Sequence, residues 1–332
     1  KVGFMVMVCA LFLGIGMKAE AAPGAVTNLR QTKDDVNAVQ VEWAAPQGDV
    51  AKYKVEFCDN SGFGGSSYMK SETDSQGVII PGLKAGSSYY FRVAAIDSTG
   101  AEGATSAPIE VVTAPAKTMK VSGLKQTNAT EKGITMSWNQ FAGANLYVAQ
   151  YRIYGTQTLK DVETTGNSAT ISSLTVDTPY VVTVFPARRS SAGYTAYGDA
   201  GSASGSVLAC TLPKKVTNVK FNYGGKGNKS AGTYADFDWK YNGKVANGFE
   251  YTVYGNNGKK LFSGTETKTL GTTVRNKKLK NTQFMKIRVR AYVNVDGKKK
   301  YGPYSDECWF ARFPNIKVKL VKKYRAEDGV QF

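Results

Sequence analysis

Apolar and polar residues alternate along most of this chain. Val39, Val41 and Trp43 share one parity, with Gln40 and Glu42 on the other. The pattern returns at Ile134, Met136 and Trp138 against Thr135 and Ser137, and at Ala235, Phe237 and Trp239 against Asp236 and Asp238. Side chains of a strand point alternately to its two faces, so each trio predicts a strand with one apolar side. Strands of that kind build sheets that bury one face and wet the other. No stretch beyond the N-terminus carries a convincing helical period. The elements predicted are therefore strands, throughout.

Each Trp-bearing strand is followed by a second: Tyr53-Lys-Val55-Glu-Phe57, then Tyr151-Arg-Ile153, then Tyr251-Thr-Val253. A leucine and a long alternating strand come next. These are Leu83, Tyr89, Phe91, Val93 and Ala95; Leu174, Tyr180, Val182 and Val184; and Leu279, Ile287, Val289 and Ala291. Pro23, Pro115, Pro213 and Pro314 punctuate the repeats, and proline stiffens a joint while holding the residue before it extended. The spacing predicts domains over 23–114, 115–212 and 213–313, a leader over 1–22 and a tail over 314–332.

A Trp-bearing strand, a Tyr-x-Val strand, then Leu with Tyr six, Val ten and Ala twelve residues on, resembles the fibronectin type III family. The resemblance covers residues 23–313, three times over. It implies an all-β chain of tandem immunoglobulin-like Greek-key sandwiches, packed end to end through short linkers. It also implies a tyrosine corner, in which a Tyr hydroxyl ties its strand to the preceding loop. Tyr89 and Tyr180 fit that role. Met285 stands at the third position, so that bond is expected to be missing or replaced there. Pro186 stands where the second repeat would carry its Ala.

Composition narrows the chemistry. Histidine is absent, which removes the commonest general base and metal ligand, and the acidic residues are scattered or lie on turns; no enzyme, no cofactor and no metal are expected. Phe4–Met17 is a short apolar run followed by Ala19 and Ala21, the small residues of a cleavage site, so 1–22 reads as a signal peptide. Secretion to the cell surface follows, with no transmembrane segment in the mature chain. The remaining cysteines, Cys58, Cys210 and Cys308, fall in three different repeats, which leaves no disulfide within a domain. Cys308 takes the place of Ile109 and Val207 and is read as a small core hydrophobe.

Charge is the uneven feature. Residues 24–114 carry a net −4, 115–212 a net +3 and 213–312 a net +14. In Lys286-Ile-Arg288-Val-Arg290-Ala-Tyr292 the alternation puts Lys286, Arg288, Arg290 and Tyr292 on one outward face, with Tyr254 and Trp309 assigned to the same face. Lys298, Lys299 and Lys300 add a basic run. These residues form the candidate anion- or glycan-binding set, against the plainer reading of an ordinary charged surface whose stems cover aromatic rings.

The partners this suggests are anionic cell-wall polymer, acidic glycan or host matrix protein, on a bacterial surface. Nucleic acid fits the charge but no recognition module is present, so no specific nucleic-acid partner is expected. Three readings follow: a secreted binding or adhesion rod, a structural spacer, and an accessory part of a carbohydrate-active system. Ile316, Val318 and Leu320 alternate in the tail, where strand pairing with a partner, an edge cap and a disordered end all remain open.

Overall fold

The computed structural model describes residues 21–64, 68–226, 233–280 and 284–311. The leader, apart from Ala21 and Ala22, and all of the tail lie outside the described residues, and with the tail the three alternatives open for Ile316, Val318 and Leu320. Every described element is a strand except one short 3-10 turn at Lys277–Lys280. The chain divides into two compact units, one of residues 1–115 with 188–196 and one of 116–187 with 197–332.

The first unit holds a sandwich of two sheets. One has order β1-β2-β5 and the other β4-β3-β6-β7, from β1 (Thr27–Asp34), β2 (Val39–Ala44), β3 (Lys52–Cys58), β4 (Met69–Thr73), β5 (Gly77–Ile80), β6 (Ser88–Ile96) and β7 (Ile109–Val112). Residues of the alternating strands meet between the sheets: Val39, Val41, Trp43, Tyr53, Val55, Phe91, Val93 and Ala95 form one buried cluster. Fully burying one such side chain stabilises by about 1.5–3 kcal/mol. Residues 188–196 pack in the same unit, where the Tyr194 hydroxyl donates to Asp34 Oδ1 at 2.7 Å.

The second unit holds two more sandwiches. The first has sheets β12-β9-β8 and β11-β10-β13-β14, with β15 also on β13, built from β8 (Lys125–Thr130), β9 (Gly133–Ser137), β10 (Leu146–Ile153), β11 (Lys160–Thr164), β12 (Ser168–Ile171), β13 (Pro179–Arg189), β14 (Thr195–Tyr197) and β15 (Val207–Cys210). The next has sheets β16-β17-β20 and β19-β18-β21-β22, with β23 also on β21. Its strands are β16 (Thr217–Lys226), β17 (Thr233–Lys240), β18 (Gly248–Gly255), β19 (Lys260–Glu266), β20 (Gly271–Arg275), β21 (Phe284–Val295), β22 (Lys298–Tyr301) and β23 (Cys308–Ala311). Trp138 and Trp239 close their cores as Trp43 does in the first sandwich.

Asp177 joins these two sandwiches. Its carboxylate accepts from the Tyr241 hydroxyl at 2.6 Å and from the Lys244 and Val245 amides at 2.9 and 3.4 Å. Beside it, Ala129, Val293 and Val295 share a small apolar cluster.

The tyrosine corners form where the sequence places them. The Lys84 amide donates to the Tyr89 hydroxyl at 2.8 Å, and the Thr175 amide to the Tyr180 hydroxyl at 2.9 Å. Met285 has no hydroxyl to offer and instead fills the third core, 1 % exposed. A second device recurs in all three sandwiches. Val93, Val184 and Val289 donate their amides to the hydroxyls of Ser106, Ser204 and Ser305 at 3.1, 2.8 and 2.9 Å. Cys58, Cys210 and Cys308 are free thiols. Cys308 packs against its core, and burial, with the nearby Asp177 charge, pushes the Cys210 thiol up to about 11.

Candidate ligand-binding face of the third sandwich

β21 is an interior strand, flanked by β18 on one side and by β22 and β23 on the other. Ile287, Val289 and Ala291 point into the core and are fully buried. Pleating therefore turns Lys286, Arg288 and Arg290 outward in a row. Lys286 pairs across the ladder with Tyr254 on one side and Trp309 on the other. Directly paired residues share a face in an antiparallel sheet, so these three predicted residues are brought together. The Lys286 ammonium lies 5.1 Å from the centre of the Trp309 ring, which is 55 % exposed.

Three of the expected residues depart from the expected picture. Tyr292 has the outward parity but is only 3 % exposed. Its cross-strand partner is Gly248, where a Cβ would meet the Tyr292 hydroxyl at 2.6 Å, so the ring lies down over the glycine. Tyr301 and the Lys299 ammonium, 4.3 Å from the ring centre, cover it further. Lys298 and Lys300 pair with Val295 and Val293, residues of the core-facing parity. They therefore share the opposite face from Arg288 and Arg290, and only Lys299 of that run joins the row. A run of consecutive lysines on a strand is split between two faces by the pleat.

The carboxylates are what sequence reasoning missed. Glu250 on β18 accepts from Arg290 Nε at 2.9 Å and from a terminal guanidinium nitrogen at 2.6 Å. Glu307 pairs with Lys286 at 2.7 Å. Two more aromatics were also missed. Gly302 and Ser305 donate their amides to the Ala291 and Val289 carbonyls at 3.0 and 2.7 Å, which lays the 302–307 segment along β21. Tyr301 and Tyr304 then sit over Arg290, with ring centres 3.7 and 4.4 Å from its guanidinium carbon. Burial, then a hydrogen bond to Glu250, raises the Tyr301 hydroxyl above its ordinary value. The cross-strand position of Glu250 opposite Arg290 was legible as a spacing only once the β18–β21 register was known.

Arg288 differs from its neighbours. It makes no ion pair among the described residues, and its guanidinium stacks 4.6 Å from Tyr304. Its Nε is buried without a partner. The residue opposite is Thr252, 1 % exposed, whose hydroxyl is also buried without a partner. Orphaned buried polar atoms each cost about 1–3 kcal/mol, so two side by side mark an unfinished arrangement. Two of the row's three cations are thus neutralised in place, and the third is not.

An all-β chain of successive two-sheet sandwiches with one aromatic-cationic sheet face is the class of protein these features define. Residues 24–112 match the Fibronectin type III domain family model. The first sandwich is thus matched as a fibronectin type III domain. Among curated proteins, the chain is 29 % identical over 202 residues to Ephrin type-B receptor 4a of Danio rerio, covering 53 % of this chain and 20 % of that protein. It is 32 % identical over 174 residues to Chitinase A1 of Niallia circulans, covering 49 % and 23 %. The chain spans about a fifth of the length of these relatives. A crystal structure of the chicken CNTN1 FN1–FN3 domains aligns over 88 % of this chain and 99 % of that one, at 17 % identity and a TM-score of 0.36. The fibronectin type III fold is generally a binding or structural module without catalysis. No described helix is long and apolar enough to cross a membrane.

Proposed function

We propose that this is a secreted, non-catalytic binding protein of the cell surface, whose basic third sandwich engages anionic polymers. The observation that carries the reading is the step in net charge from −4 over residues 24–114 to +14 over 213–312. A charge so confined gives direction to binding, because a like-signed surface raises the local concentration of an opposite-signed polymer. Attraction of this kind weakens as salt shortens the screening length, from about 10 Å at 0.1 M to about 3 Å at 1 M. Likeness to a receptor and a chitinase supports a role in binding or display and leaves the ligand to the third sandwich's own chemistry.

The test is retention of the whole chain on immobilised dextran sulfate across a salt gradient. Wild-type protein is expected to elute late and with steep salt dependence. A K298Q/K299Q/K300Q variant is expected to elute earlier. Equal elution of both, or elution indifferent to salt, ends the proposal. The match to a chitinase also supports a second reading, an accessory module beside a carbohydrate-active partner, for which binding to insoluble neutral glycan is the distinguishing assay.

A further inference from the structure

We infer that Arg288 is a subsite for an external carboxylate, supplied by an acidic polysaccharide built on uronate residues. The inference rests on the proposed polyanion binding and names the chemistry of one position within it. It begins from a position the first and third sandwiches share. Arg92 lies nine residues after Leu83, and Arg288 nine after Leu279. Across the ladder Arg92 faces Glu56, and Arg288 faces Thr252. In the first sandwich the place opposite the arginine is filled by the protein's own carboxylate, with Arg92 Nε donating to Glu56 at 2.5 Å. In the third that carboxylate is missing, and nothing in the described residues replaces it.

Three features point to an occupant from outside. Arg288 and Thr252 each leave a buried polar atom without a partner, while Arg288 as a whole stays partly exposed, so an occupant reaches its fork from the solvent side. A guanidinium is always charged and presents a planar fork that matches a carboxylate with two parallel hydrogen bonds. Tyr304 already covers one side of it, with the ring centre 4.6 Å from the guanidinium carbon. Flat apolar faces lie along the same row, above all the exposed Trp309 ring beside Lys286, roughly 7 Å along the strand. Cations alternating with aromatic faces suit a chain of sugar rings that carry carboxylates. An acidic peptide recognised by strand addition requires a free sheet edge, and β21 is paired on both sides.

The experiment titrates trigalacturonate into the full chain, labelled with nitrogen-15, and follows the Arg288 Nε–H resonance together with tryptophan fluorescence. The expected result is a saturable shift of that resonance. R288K keeps the charge and loses the fork, and T252E recreates the internal pair of the first sandwich. Both are expected to weaken trigalacturonate at least about tenfold, the loss of one charge-assisted contact, while retention on dextran sulfate persists. Undiminished trigalacturonate binding by both variants overturns the inference. So does a triglutamate peptide that shifts the resonance at equal or lower concentration. If dextran sulfate retention persists while trigalacturonate leaves Arg288 unmoved, only this inference fails. If wild-type retention itself is indifferent to salt, the broader proposal fails with it.

Discussion

The first and third sandwiches share a skeleton and differ in how their outer sheet faces balance charge. Both staple the long strand through a serine, Ser106 or Ser305. On the first, Lys54 pairs with Glu102, and Arg92 with Glu56, which also accepts from the Tyr68 hydroxyl while Phe63 covers the guanidinium at 4.1 Å. On the third, Arg290 has Glu250 and Lys286 has Glu307, but among the described residues Arg288 has only Tyr304. Tyr301 precedes Gly302 as Glu102 precedes Gly103, so an aromatic ring stands where the first sandwich places a carboxylate. One face is closed on itself. The other keeps a cation unspent, and the lesson is that net charge alone does not locate a site; the unpaired position does.

The most damaging way to break the comparison is to import the third face into the first. E56T is expected to leave Arg92 and the Tyr68 hydroxyl without their acceptor and to destabilise the first sandwich by about 2 kcal/mol, allowing for the partial exposure of Arg92. Faster hydrogen exchange along β3 and β6, with β18 and β21 unchanged, is the readout.

A smaller effect is expected at the corners. Y89F removes the acceptor of the Lys84 amide at a cost of about 1 kcal/mol, seen as faster exchange of that amide. The third sandwich has no such bond to lose, so M285L is expected to cost less.

Smaller still is the gain from the reverse exchange. T252E is expected to stabilise the third sandwich by less than about 1 kcal/mol, because its attraction to Arg288 is largely offset by burying a carboxylate at a position 1 % exposed. A denaturant series followed through the third sandwich's tryptophans, Trp239 and Trp309, checks it.

Acid sharpens the contrast last. Burial raises the Glu56 carboxyl, but hydrogen bonds from Tyr68 and Arg92 outweigh it, and the folded-state value lies below the ordinary one. The stability Glu56 contributes is therefore complete above the unfolded value, near about 4.3, and is lost as pH falls through the lower folded value. Exchange along β3 and β6 is expected to quicken below that point in wild type, and to lose this acid step in E56T.

Much of this was readable from the chain. Parity placed Val39, Val41 and Trp43 inward and Lys286, Arg288 and Arg290 outward, and Leu-to-Tyr spacing located two corners and the missing third. Two signals went unused. Thr27-Asn28 and Thr217-Asn218 begin equivalent strands with a register shift, and both asparagines adopt left-handed backbone, which Asn tolerates better than most residues. The serines Ser106, Ser204 and Ser305 also recur at matched positions. Asp177 left no sequence signal, since its partners lie 64 to 68 residues away in another sandwich.

What the sequence determined by itself was everything carried by a period of two: strands, inner and outer faces, and the repeat. That is local geometry, fixed by the pleat wherever a strand forms. Only the tertiary structure decided which outward cations are answered. Glu250 meets Arg290, and Thr252 meets Arg288, because the register of β18 on β21 is set by two sheets closing over one core. A shift of two residues would have set Glu250 opposite Arg288 while leaving the composition of every strand the same, and a shift of one would have turned the apolar set to the other face.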